Sequence, residues 1–250
     1  MLMRAWYATG WKRASLWLGV WCLAVPAFAQ QEAVTVQVEV VRRPQAGRSA
    51  AGPRPDASNV AVWLTPMGGA PPVAAAAAGH RAPQLLQRNK TFAPHVLVVE
   101  SGAMVQFPNQ DPFFHNVFSL FAGKRFDLGL YEAGSSRSVR FDRPGASFLF
   151  CNIHPDMSAV IVVVSTPYYG LSDASGKVSI AGVPDGRYQL KVWYERSAPE
   201  DLRNLEQTVT ISGSARSLGP IPILDNGNFT LTHKNKYGQD YVPPLTNTAY

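Results

Sequence analysis

A chain of 250 residues, 46% apolar and 16% charged, is too long for a mini-protein and too apolar for a disordered one. Its 20 glycines and 20 prolines, many at the ends of short Val-rich runs, favour a turn-rich all-β protein over a helical one. The net charge of +6 falls to +3 without Arg4, Lys12 and Arg13, and no Lys/Arg run interleaved with aromatics follows, which excludes nucleic acid as a partner.

Those three basic residues precede an apolar run from Leu16 to Ala29 that ends in Ala27-Phe28-Ala29, the pattern of a secretory signal cleaved after Ala29. The run is interrupted by Pro26 and falls short of the roughly 20 residues that span a bilayer. Trp21 is too bulky before Cys22 for a lipoprotein signal. The expectation is therefore an exported, periplasmic or otherwise secreted chain with no membrane span after cleavage. Cleavage removes Cys22, so Cys151 is the single thiol left and no internal disulfide is possible.

Val34, Val36, Val38 and Val40 alternate with other residues as one face of a strand does. A loop is expected over 45–58, a strand over Val60 to Leu64, and a loop or lid over Thr65 to Pro83. Strands follow at Val96 to Val99, Ala103 to Phe107, His115 to Leu120, Ser136 to Phe141, Ser147 to Cys151 and Ser158 to Ser165, with turn residues between them. Short strands at such spacing predict a β-sandwich. Beyond Pro167 come a turn at Asp173 to Gly176, a strand at Lys177 to Ile180, a turn at Val183 to Gly186, and strands at Tyr188 to Tyr194 and Thr208 to Ile211. The expected division is a signal over 1–29, a first domain over 30–166, a small β module over 167–224 and a tail over 225–250.

The chemistry concentrates in Cys151-Asn152-Ile153-His154-Pro155-Asp156-Met157, which sets a thiol, an imidazole and a thioether within one strand end and the loop after it. His115, at the start of another strand, is the fourth donor. Two His and one Cys with a weak axial Met are the donor set of an electron-transfer copper site. Taken singly each has a plainer explanation: Met157 as core filler, Cys151 as inert packing, His115 as a satisfied core histidine. Together with export and the lone thiol they favour a bound metal. His2Cys suits zinc too, but Met as fourth ligand argues against it. His80, His95 and His233 have no donors at metal spacing and read as surface residues. A catalytic role is not expected. Five histidines are too few for a multicopper oxidase, Cys151 and His154 suit a shared metal better than a nucleophile and base, and phosphate-binding glycine loops are absent.

These residues resemble the cupredoxins. The Cys-x2-His-x2-Met loop is similar to the short ligand loop of amicyanin, and Phe114-His115-Asn116-Val117, approached through Pro108-Asn109-Gln110-Asp111, looks like the family's first-histidine motif. The resemblance implies a Greek-key β-sandwich holding one type 1 copper ion, with His115, Cys151 and His154 as equatorial ligands and Met157 as axial ligand. It also implies that the Asn116 amide ties the histidine strand to the cysteine loop and hydrogen-bonds near the sulfur. Ile153 departs from the family, whose loops usually have Pro there. Asp173 to Tyr194 is similar to carboxypeptidase regulatory-like, or transthyretin-like, β modules. The function expected is single-electron transfer between redox proteins docking near His154, Phe113, Phe114 and Pro155. The alternatives are copper trafficking, or a structural envelope module with an incidental metal site.

Overall fold

The four alternating valines lie in β1 (Val34–Arg42), where all four are buried and the residues between them are not. A computed structural model describes residues 33–43, 55–68, 82–120, 123–227 and 234–241, all within one compact unit, Gln31–Tyr250. The expected signal segment, Cys22, His80 and His233 lie outside the described residues. After β1 come β2 (Ala61–Pro66), β3 (Leu86–Arg88), β4 (Thr91–Ala93), β5 (Val96–Glu100), β6 (Ala103–Pro108), β7 (His115–Ser119), β8 (Phe126–Tyr131), β9 (Ser136–Phe141), β10 (Gly145–Phe150) and β11 (Ser158–Val164). The chain continues with β12 (Tyr169–Leu171), β13 (Lys177–Ile180), β14 (Gly186–Trp193), α1 (Pro199–Asn204), β15 (Gln207–Ile211) and β16 (Ser217–Asp225). The described structure is all-β apart from the six residues of α1.

Strands β3 to β11 form one layered half. A five-stranded sheet in the order β5-β11-β10-β7-β8 faces the β6–β9 pair, beside which residues 83–87 run parallel to β6. Between them lies a core that includes Phe107, Val117, Tyr131, Phe141, Leu149, Cys151, Met157 and Ile161.

The second half corrects the expected division at residue 166. β1 pairs antiparallel with β13 and parallel with β16, and β2 lies between β12 and β14 in a four-stranded sheet with β15. The first two strands thus build the sandwich beyond Pro167, not the one that follows them in sequence. The cause is burial. Val34, Val36, Val38, Val40, Val62 and Leu64 share a core with Val178, Ile180, Leu190, Ile221 and Ile223. The Asp173–Gly176 turn holds the register. Asp173 Oδ1 accepts from the Ser175 and Lys177 N–H groups, and Gly176, at φ +83°, sits where a Cβ would lie 2.1 Å from the Val38 carbonyl.

Strand β11 joins the two halves. Ala159, Ile161 and Val163 enter the first core, while Val160, Val162 and Val164 pack with Ala61, Trp63 and Trp193 from β2 and β14. Burial on both faces is why Ala159 to Val164 is apolar without alternation.

His95 is not a free surface residue. Its Nε2 lies 2.6 Å from Glu195 Oε2 and its Nδ1 3.3 Å from the Ser158 carbonyl, linking β5 to the segment after β14. The hydrogen bond to Glu195 raises its pKa against the opposing effect of burial, with the carboxylate's charge and the Ser158 carbonyl adding to the rise. A histidine with a raised folded pKa stabilises fully below its unfolded value, about 6.5, and loses that contribution as pH rises through the folded value. The expected result is that Glu195→Gln lowers the melting temperature most between about pH 5 and 6.5 and progressively less above. A difference that grows towards pH 8 would contradict it.

Candidate metal centre

His115 opens β7, whose five residues are all buried. The loop before it is held by Asn109, whose Nδ2 donates to the carbonyls of Phe113 at 2.8 Å and Tyr131 at 3.3 Å, and whose Oδ1 accepts from the Asp111 N–H. That places the Asp111 carboxylate 2.7 Å from His115 Nε2. Asp111 also accepts from the N–H groups of Asn89, at 2.6 Å, and Lys90, at 2.9 Å. Burial works to raise its pKa, but the hydrogen bonds from Lys90, His115 and Asn89 outweigh it and hold the carboxyl below its usual value. An ionised carboxylate can only accept, so His115 Nε2 donates to it and Nδ1 is the ring nitrogen left facing the thiol.

Cys151 follows β10 and begins a closed loop. Its N–H donates to the Met157 carbonyl, and the Met157 N–H donates to the His154 carbonyl, each at 3.1 Å. The fold thereby brings Cys151 Sγ to 3.7 Å from His115 Nδ1 and 3.5 Å from His154 Nδ1, across 36 and 3 residues of sequence. The ligand atoms of His115, Cys151 and His154 all lie within 4.8 Å of one another. Bonds of about 2.0–2.3 Å to a shared ion would hold ligand atoms about 3–4 Å apart, as the two sulfur–nitrogen separations do. Met157 is fully buried in the same core cluster as Cys151.

Burial raises the Cys151 thiol pKa, while backbone N–H groups of Asn116, Ile153 and His154, directed at the sulfur, act against it. Burial also lowers the His154 imidazole to about 4, with the His115 and Lys90 charges adding to the effect. His154 is therefore neutral at neutral pH. The Phe113 ring stands edge-on to His115 at 5.2 Å and tilted against His154 at 5.7 Å.

The expected role of Asn116 is corrected in part. Its side-chain amide does not reach the cysteine loop. It donates to Asp127 Oδ1 at 2.7 Å and to the Gly129 carbonyl at 2.9 Å, both on β8, and its backbone N–H is the group that faces the sulfur. The expectation of a tail over 225–250 is also corrected for its described part. Residues 234–241 return to the cysteine loop, where the Lys236 N–H donates to Asn152 Oδ1 and the Tyr241 hydroxyl to the Cys151 carbonyl. Asp111 is the residue that sequence reasoning placed in the approach loop without a role. Its signal was the Asp-x3-His spacing.

No family model and no curated protein sequence matches the chain. Among solved structures, a purple cupredoxin from Nitrosopumilus maritimus is 22% identical over 33% of this chain and 99% of its own, with a TM-score of 0.31. Two reduced amicyanin variants are 24% and 21% identical, cover 41% and 36% of this chain and 99% and 90% of their own, and each give a TM-score of 0.32. Nothing about the site depends on these likenesses. The described residues form an all-β structure with a His2Cys group in which His115 and Cys151 are buried and His154 half-buried.

Proposed function

We propose that this chain binds one copper ion through His115, Cys151 and His154, with Met157 as the fourth ligand, and carries single electrons between redox proteins. The observation that carries it is the convergence of two imidazole Nδ1 atoms on one buried thiol. When bound, copper supplies a one-electron couple. Asp111 presents the lone pair of His115, and the lowered pKa of His154 keeps its nitrogen available at neutral pH. Backbone N–H groups of Asn116, Ile153 and His154 offset part of the rise that burial gives the thiol, and the burial of Cys151, His115 and Met157 keeps water away. Thiolate and thioether suit Cu(I) and imidazole also suits Cu(II), so one donor set serves both oxidation states.

His154 is half-buried at the edge of this site, beside the half-buried Phe113, Phe114 at 55% exposure, Ile153 at 43% and the exposed Pro155. That apolar rim is the docking surface we assign to a redox partner, of the small kind that transient electron-transfer encounters use. No described helix is long and apolar enough to cross a membrane. Export by the N-terminal signal belongs to the same proposal.

The test is titration of the signal-cleaved protein with Cu(II). The expected result is an intense thiolate-to-copper visible band that reductant bleaches and oxidant restores without loss of metal. Colourless binding of Cu(I) or zinc would overturn electron transfer in favour of trafficking. Asp111→Asn is expected to weaken copper retention by about 10–100-fold, because the amide no longer fixes the His115 tautomer with a full charge. Competition against a chelator of known affinity checks it, and retention equal to the wild type would show that Asp111 only anchors the loop.

A further inference from the structure

Most of the chain beyond β16 has no period, yet residues 234–241 form a built turn. Asn235 Oδ1 accepts from the N–H groups of Tyr237, at 2.9 Å, and Gln239, at 3.0 Å. The Asn235 N–H donates to the Gln239 carbonyl and the Gly238 N–H to the Asn235 carbonyl, both at 2.9 Å. The turn is anchored at three points, two on the cysteine loop and one on β8. The Tyr241 hydroxyl donates to the Cys151 carbonyl at 2.7 Å, and the Lys236 N–H to Asn152 Oδ1 at 2.9 Å. Lys236 Nζ pairs with Asp127 Oδ2 at 2.7 Å. The other oxygen of Asp127 accepts from the Asn116 side chain, and Asn116 is the residue after His115 whose backbone N–H faces the sulfur.

We propose that this segment is part of the metal centre, and that Tyr241 is a positioning residue that fixes the peptide of Cys151 and so the direction of its sulfur. The inference rests on the copper reading for its functional meaning, though not for its geometry. A cysteine at the end of a strand keeps rotational freedom in its own peptide, and a hydrogen bond to its carbonyl removes part of it. Lys236 acts on the other side of the sulfur: by neutralising Asp127 it holds the carboxylate that orients Asn116. The strap thus grips the cysteine loop directly and, through Asp127 on β8, the Asn116 side chain on β7. The phenol ring of Tyr241 is itself half-buried, so its placement is defined by packing as well as by the hydroxyl.

The test uses full-length Tyr241→Phe and Lys236→Ala. Phe keeps the ring and removes only the hydroxyl. In metal-free protein, labelling of Cys151 by a thiol reagent is expected to be on the order of tenfold faster in Tyr241→Phe, the scale of one lost hydrogen bond, and to quicken in the same direction in Lys236→Ala. In copper-loaded protein, the ratio of the thiolate-to-copper bands shifts and a chelator removes copper on the order of tenfold faster. Melting temperatures within a few degrees of wild type would exclude a general loss of structure as the cause. Wild-type labelling rate and band ratio in Tyr241→Phe would overturn the proposal. If wild-type protein shows no band at all, the copper reading fails, and the labelling rates still decide whether the strap holds the cysteine.

Discussion

Cys151→Ser is expected to give a folded protein that shows no visible band with copper and binds the metal more weakly by well over the 10–100-fold, roughly, that loss of an outer hydrogen-bond partner costs. The substitution is close to isosteric, and the three backbone N–H groups that face the sulfur can serve a hydroxyl oxygen as well. The fold therefore has little reason to fail. The metal chemistry does. A serine hydroxyl is a hard donor with a pKa far above neutral, whereas the thiol, although raised by burial, yields its proton to a metal and supplies the soft ligand that retains Cu(I). Circular dichroism beside a copper titration separates the two effects. A visible band surviving in the serine variant would mean that the metal is held elsewhere, and would remove the convergence of His115, His154 and Cys151 as the basis of the function.

Much of this was legible because it depends on local chemistry. The alternating valines of β1 show their buried face directly, and Asp173 to Gly176 is a turn because its side-chain acceptor and its positive φ are both written in the residues. The metal donors were legible by type and spacing, since Cys151, His154 and Met157 share one short loop. Their meeting with His115 needed only that two strands of one sheet lie together, and β7 does pair with β10.

What could not be read depends on distant partners. β16 carries Pro220 and Pro222, which argue against a strand until it is seen to lie at a sheet edge with β1 as its only neighbour among the described residues. β8 loses its alternation at Gly129, where the register with β7 shifts between Asn116 and Phe118. The pairing of β1 with β16 spans most of the chain, and a row of valines does not say which sheet will cover it. Asp111 and Tyr241 went unassigned for the same reason. A carboxylate or phenol gains its role from the atom it meets, and Tyr241 meets a backbone carbonyl 90 residues away.

The apolar run of β11 shows how such ambiguity is settled by energetics, and it carries the second large effect. Ile161→Ala removes a fully buried side chain from the core beside the cysteine loop and is expected to cost about 2–5 kcal/mol of stability, the range for such truncations. Val162→Thr changes the opposite face at nearly constant volume. Were that face open to water, as one face of an ordinary sandwich strand is, the change would stay within about 0.5 kcal/mol. Here Val162 is 2% exposed and packs in the layer with Trp63 and Trp193, so a hydroxyl there has no water, and the expected cost is about 1–3 kcal/mol. Denaturant unfolding of the two variants distinguishes the cases. A large loss in Ile161→Ala with none in Val162→Thr would mean that the two sandwiches separate in solution. Losses in both would mean that the half holding the metal donors and the half built from the chain's two ends stand on one shared strand.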